Sequence, residues 1–147
     1  MRIALLYETY SSTTESVVMI VMDLWVQKGH EVVVSKLQDR MDFTTESYDL
    51  VVLATPSWFD RGREGQPHTA FLTYMDAHAQ DNFSQKKFGF IGLGDSNYAH
   101  FCLAIDILED FFVQRGAQKW GETLKLDNFY LNTEGETKKI QDWCNTL

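Results

Sequence analysis

The run Leu50-Val51-Val52-Leu53-Ala54 carries no polar residue at either alternate position. A strand with water on one face alternates apolar and polar side chains, whereas one that is apolar throughout is covered on both faces. Such a strand belongs inside a parallel sheet with helices above and below it. The rest of the chain supplies the partners. Strand-like runs at Arg2–Tyr7, Glu31–Lys36, Leu50–Thr55, Phe88–Gly92 and Gln118–Leu126 alternate with helical patterns near Thr13–Lys28, Pro67–His78, Tyr98–Arg115 and Glu134–Thr146. Leu103, Ile107, Leu108 and Phe111 form the stripe of a helix resting on a sheet. Gly29 and Gly116 stand where helix C-caps belong, and Ser12 with Glu15 makes a capping box for the first helix. No linker, repeat or low-complexity segment interrupts the pattern. It predicts an α/β, doubly wound, three-layer sandwich in one domain over residues 1–147, with a five-stranded parallel sheet in the order 2-1-3-4-5.

Composition narrows the function classes. Apolar residues make up 44% and aromatics 14%, which argues against a disordered chain. The net charge of −8 argues against nucleic acid or an anionic membrane surface as partner, and permits docking to a basic protein surface. Cys102 and Cys144 do not make a metal-site spacing, and His30, His68, His78 and His100 are scattered, so no metal is expected. Two isolated thiols suit a reducing cytosol. The N-terminal apolar stretch is too short for a signal peptide, and no run approaches a membrane span. A cytoplasmic protein is expected.

In doubly wound sheets ligands bind beyond the carboxyl ends of the strands, beside the switch point at strand 1. The loops after strands 1, 3 and 4 therefore matter most. After strand 1 comes the hydroxyl-rich turn Thr9-Tyr10-Ser11-Ser12-Thr13-Thr14. Its hydroxyls and free backbone N–H groups sit at the positive end of a helix dipole, a place suited to phosphate. An ordinary N-cap would account for Ser11 or Ser12, but not for the residues crowded around them. The turn holds no Lys or Arg, so an anion there would be met by hydrogen bonds and the dipole alone.

After strand 3 comes Thr55-Pro56-Ser57-Trp58-Phe59-Asp60, running on through Arg61 and Arg63. Trp58 and Phe59 fit no helical or strand period. Either they fold back as lids on the core or they stand out to stack on a planar ligand. After strand 4 comes Gly92-Leu93-Gly94-Asp95-Ser96-Asn97-Tyr98-Ala99-His100-Phe101-Cys102. Here Gly92 and Gly94 permit close backbone approach or positive φ, and Asp95 and Ser96 are candidate caps for the next helix. Tyr98 is again an aromatic at a loop apex. Together the loops place a phosphate cradle and two aromatic planes on one edge of one sheet.

The whole chain resembles a flavodoxin of the short-chain type. The family's phosphate loop reads Ser/Thr-x-Ser/Thr-Gly-x-Thr, similar to Thr9–Thr14. Its strand-4 signature resembles Gly92–Tyr98 followed by Phe101-Cys102, the most specific match. Ser57-Trp58 aligns with the loop bearing the family's inner-face aromatic. The short stretch after Leu124-Lys125-Leu126-Asp127 is similar to members that lack the long-chain insertion.

The resemblance implies bound FMN. Thr9, Ser11, Ser12, Thr13 and Thr14, with Tyr10 between them, would hold its phosphate, and Trp58 and Tyr98 would sandwich the isoalloxazine. Backbone groups of Asp60, Asp95, His100 and Cys102 would bond the pyrimidine edge. Thr55, Pro56, Ser57, Phe59, Gly94 and Phe101 complete the cofactor-binding set. The implied function is low-potential electron transfer between redox partner proteins, a reductase donor and an acceptor enzyme, docking near the flavin edge of a monomer. The sandwiching rings and the carboxylates of Asp60 and Asp95 would disfavour an anionic reduced flavin and lower the last potential. The Cys102 thiol is expected to be buried and inert.

Two positions depart from the family pattern. Ser12 replaces the phosphate-loop glycine, so its backbone is expected to reach the phosphate without positive φ, or the loop to bend differently. Phe59 stands where the family commonly has a glycine whose peptide turns toward flavin N5 on one-electron reduction, and a bulky residue makes positive φ costly there.

Three other readings compete. A small FMN-dependent NAD(P)H:quinone or nitro reductase would need a dimer and a nicotinamide pocket, for which the chain has little spare sequence. A phospho-acceptor receiver needs clustered acids after strand 1 and an Asp ending strand 3, where Thr9 and Thr55–Trp58 stand instead. A flavin-free relative using the surface for protein contacts is suggested by Ser12 alone.

Overall fold

The computed structural model describes residues Met1–Leu147. Its sheet is built from β1 (Arg2–Tyr7), β2 (Glu31–Lys36), β3 (Leu50–Pro56) and β6 (Lys87–Gly94), with β7 (Gln118–Lys119) and β8 (Leu124–Asp127) along one edge. All pair in parallel, in the order β2-β1-β3-β6, with β7 and β8 both bonded to the outer side of β6. Helices α1 (Thr13–Gln27) and α4 (Thr133–Cys144) cover one face, and α2 (Thr69–Ala77) and α3 (Leu103–Gln114) the other. This is the expected doubly wound sandwich, with β6 as fourth strand and the β7–β8 pair as fifth.

Strand parity explains the two cores. Ile3, Leu5, Val52, Ile91 and Leu126 point toward α1 and α4, while Ala4, Leu6, Val51, Leu53 and Phe90 point toward α2 and α3. The central strands are buried on both faces, which is why they read as unbroken apolar runs. Trp25 anchors the first core. Its ring packs against Trp143 at 5.5 Å and Trp120 at 5.9 Å, and its Nε1–H donates to the Cys144 carbonyl at 3.3 Å. Truncating a fully buried ring of this kind costs about 3–5 kcal/mol.

Several boundaries differ from expectation for local reasons. The fifth strand is split because Trp120 turns its ring inward over Gly89, where an added Cβ would lie 3.0 Å from the indole. The α3 face toward the sheet is Ala104, Ile105, Leu108, Phe111 and Phe112 rather than the stripe through Leu103 and Ile107, which are half-buried. That helix begins at Leu103, so Tyr98 lies in the preceding turns. Gly29 and Gly116 do end their helices, at φ of 86° and 91°, donating to the carbonyls of Val26 and Val113. The capping box does not form. Ser12 is the N-cap of α1 but makes no side-chain cap bond. Glu15 instead faces Tyr7, whose phenol is pushed up to about 12 by burial and then by that carboxylate.

The loop after β3 is a β-hairpin, β4 (Trp58–Asp60) with β5 (Arg63–Gln66). Arg61 and Gly62, both at positive φ, make its two-residue turn. The hairpin then leans on α3 so closely that a Cβ on Gly65 would lie 2.8 Å from Leu103.

Candidate functional site

The ends of β1, β3 and β6 open onto one cavity of about 470 Å³. Its wall includes Ser11, Thr13 and Thr14 from the first loop and Pro56, Ser57, Trp58 and Phe59 from the hairpin. Gly94, Asp95, Tyr98, His100 and Cys102 come from the third loop. Sequence reasoning named all of these, and the fold brings them together at the switch point.

The first loop is a cradle of unused donors. No backbone N–H from Thr9 to Glu15 donates to an acceptor in the chain. The Thr14 hydroxyl, 1% exposed, is the one buried side-chain polar atom without a partner, and Thr14 lines the cavity. Buried polar groups are otherwise satisfied almost without exception, so an orphaned hydroxyl on a cavity-lining residue is a candidate ligand contact. Ser12 takes φ 65° and ψ 2°. The serine itself is left-handed, contrary to the expectation that its backbone would reach the phosphate without positive φ. Its carbonyl accepts the Ser16 N–H at 3.1 Å and the Ser16 hydroxyl at 3.2 Å.

Tyr10 does not reach the cavity. Its ring lies between Trp58, at 4.8 Å, and His68, at 4.3 Å. His68 Nδ1 accepts the Ala70 N–H at 3.2 Å, so Nε2 carries the proton and faces Glu8 Oε2 at 3.8 Å. Burial holds His68 below its ordinary value, and Glu8 opposes that shift. Glu8 is itself buried and accepts the Gln38 N–H at 2.7 Å.

The hairpin settles the fate of the loop aromatics. Trp58 is 46% exposed and Phe59 63%, so neither is a lid on the core. Phe59 lies in strand β4, and the positive φ falls on Arg61 and Gly62 beyond it. Asp60 sits at the hairpin end beside Arg61, 3.8 Å away. Thr55 lies beneath the site, fully buried, its hydroxyl taking the His68 N–H and donating to the Pro56 carbonyl. Ser57 ties the hairpin to α3 by accepting the Ala104 N–H at 3.1 Å.

In the third loop both glycines serve close approach. A Cβ on Gly92 would meet Ile105 at 2.5 Å, and one on Gly94 would meet the Cys102 nitrogen at 3.1 Å. The N–H groups of Asp95, His100, Phe101 and Cys102 donate to nothing in the chain. Phe101 is half-buried against the α2–α3 core. Asp95 and Ser96 do not cap α3, because the turns of residues 96–102 intervene. The Asp95 carboxylate accepts the Asn97 N–H at 2.8 Å and the Asn128 amide at 2.9 Å, and these bonds hold it below the usual carboxylate range. Asp127 is held low by the Ser96 hydroxyl at 2.6 Å and the Ser96 N–H at 2.9 Å. Burial pushes the Cys102 thiol up to about 12, so it is a buried thiol and not a nucleophile.

The flavodoxin family model matches residues 5–143. The chain belongs to the flavodoxin family. The probable flavodoxin 2 of Bacillus subtilis strain 168 is 30% identical over 144 residues, covering 94% of this chain and 87% of its own length. Oxidised flavodoxin 2 from Bacillus cereus superimposes with a TM-score of 0.87 at 25% identity, over 99% of this chain and 96% of that one. Flavodoxin from Fusobacterium nucleatum, solved bound to flavin mononucleotide, shares the fold with a TM-score of 0.83 at 20% identity, over 99% and 95% of the two chains. As a flavodoxin this protein is an FMN-based electron carrier rather than a substrate-converting enzyme, and flavodoxins work with redox partner proteins. No helix is long and apolar enough to cross a membrane.

Part of this flavodoxin's cavity wall escaped the sequence. Asn128, Phe129, Tyr130 and Leu131, between β8 and α4, line it, as do Glu64 and Gly65 of the hairpin. The adjacent aromatics Phe129 and Tyr130, just past the carboxyl end of the last strand, were the available signal.

Proposed function

We propose that the cavity holds FMN with its phosphate at the Thr9–Thr14 turn and its ring system between Trp58 and Tyr98, and that redox partner proteins approach the ring edge left between the hairpin and the Tyr98 loop. The observation that carries this reading is the orphaned Thr14 hydroxyl inside a turn of undonated N–H groups. Such a group costs about 1–3 kcal/mol when left unpaired, a penalty that a phosphate oxygen removes. FMN, when bound, supplies a ring that takes up and releases electrons one at a time.

The residues do the rest. Donors at Asp95, His100 and Cys102 face the region where a polar ring edge would lie. Exposed Trp58 and Tyr98 offer flat apolar faces, worth about 0.5–1.5 kcal/mol each beyond area burial. Asp95, in the cavity wall, is kept ionised by its hydrogen bonds and opposes further negative charge there. No group of three or more His, Cys, Asp or Glu side chains is placed to hold a metal ion. The carrier acts as a single cytoplasmic domain over residues 1–147, as a monomer. Titrating the protein with FMN and following flavin fluorescence tests this: saturation at one FMN per chain is expected. NADPH should not be consumed without a separate reductase, and rapid NADPH oxidation by the protein alone would favour the reductase reading.

A further inference from the structure

Ser12 sits in a backbone region that serine enters at a cost, and its side chain makes no cap bond to offset that. The contacts that hold it are on its carbonyl. The Ser16 hydroxyl donates to that carbonyl at 3.2 Å, using its only proton. The Ser16 oxygen therefore accepts at its other contact, 2.7 Å from the Tyr130 hydroxyl, which is the donor. The hydrogen-bond chain runs Tyr130 Oη–H to Ser16 Oγ–H to the Ser12 carbonyl, joining segments 114 residues apart in sequence.

Tyr130 is well placed to act as an anchor. It lies in the short turn Phe129–Leu131, entered through Asn128 at φ 45°, whose N–H donates to the Gly94 carbonyl at 2.9 Å. Phe129 is buried in the α1–α4 core and meets the Tyr130 ring edge-on at 5.3 Å. Tyr130 also lines the same cavity as Ser11, Thr13 and Thr14.

We propose that Tyr130 is a positioning residue of the phosphate turn: through Ser16 it holds the Ser12 carbonyl, and so the left-handed Ser12 backbone that turns the loop N–H groups toward the cavity. This rests on the FMN reading above. A serine at this place needs the tether, whereas a glycine, which enters the left-handed region freely, does not.

A double-mutant cycle between Ser12→Gly and Tyr130→Phe tests the tether. Tyr130→Phe removes the hydroxyl and keeps the ring. In the Ser12 background it should weaken FMN binding about fivefold, the scale of one solvent-accessible hydrogen bond. In the Ser12→Gly background the same change should alter affinity less than about twofold, and riboflavin, which lacks the phosphate, should bind all four proteins alike. Ser16→Ala should match Tyr130→Phe and add nothing to it. Equal losses in both backgrounds, or no loss in either, overturn the proposal. The cycle is repeated on urea unfolding of the flavin-free protein, where Tyr130→Phe should lower the midpoint in the Ser12 background only. Failure of the parent protein to bind FMN would sink the cofactor reading, while the unfolding cycle would still decide the tether.

Discussion

Tyr10 of the phosphate turn lies against Trp58 of the hairpin, ring centroids 4.8 Å apart and planes inclined at 37°. The loops after β1 and β3 thus meet ring to ring, and the stack continues onto His68 at 4.3 Å. The ring that would face the flavin is braced from the phosphate side. Trp58→Ala should weaken FMN binding about tenfold, and Tyr10→Ala by a smaller factor, because Tyr10 acts by supporting Trp58. Fluorescence titration decides it; a larger loss for Tyr10→Ala would mean that the tyrosine touches the cofactor itself.

Thr14 should trade stability for binding. Valine has the same shape without the orphaned hydroxyl. Thr14→Val should stabilise the flavin-free protein by about 1 kcal/mol in urea unfolding and reduce FMN affinity about tenfold. A flavin-free protein that loses stability on this change would show that the hydroxyl is satisfied by other means.

Ser12 reports on the backbone directly. Ser12→Gly relieves the left-handed strain but adds chain entropy to the unfolded state, so stability should stay within about 1 kcal/mol. Ser12→Val places a β-branched residue at φ 65° and should cost about 1–3 kcal/mol. Thermal or urea unfolding measures both, and equal stability of the Gly and Val variants would contradict the observed turn.

These positions also mark the limits of what could be read from the chain. The sandwich, its strand order and the three loops follow from apolar runs such as Leu50–Ala54 and from turn chemistry, because both are local. The β4–β5 hairpin was missed: its turn residues, Arg61 and Gly62, carry no strong hairpin signature, and its strands are too short to show a period. The Ser12 backbone was misjudged because a carbonyl tether from Tyr130 overrides the residue's own preference, and no local pattern reveals a contact across 114 residues. The fifth strand split for a similar reason, since Trp120 is drawn into a ring cluster formed by α1 and α4.

Acid should act in two windows. His68 is held below its ordinary value of 6.5 by burial, so the folded state favours its neutral form. Its contribution is fully present above that value and is lost as pH falls from there toward the folded value. Asp95 and Asp127 lie below 3.8, so their contribution is intact above that pH and disappears as pH drops through their lowered values. His68→Gln should reduce the slope of the upper part of a stability–pH profile, where His30 contributes the remainder, and leave the lower part unchanged. An upper slope between roughly pH 5 and 6.5 that His68→Gln leaves as steep as in the parent would assign that window to His30, which burial also holds low, or to another group.

Burial raises both thiols to about 12. Neither Cys102 nor Cys144 should react with a thiol reagent at pH 8 until the protein is unfolded. Rapid labelling of the native protein would show that one of the two is exposed.

The central claim is that this chain carries electrons on FMN. Spectroelectrochemical titration of the purified, FMN-reconstituted protein tests it most directly. The account predicts one flavin per chain, reduced and reoxidised reversibly, with its last electron entering at a lower potential than in free FMN. A colourless protein that cannot be reconstituted, or a bound flavin with the potential of free FMN, would contradict it.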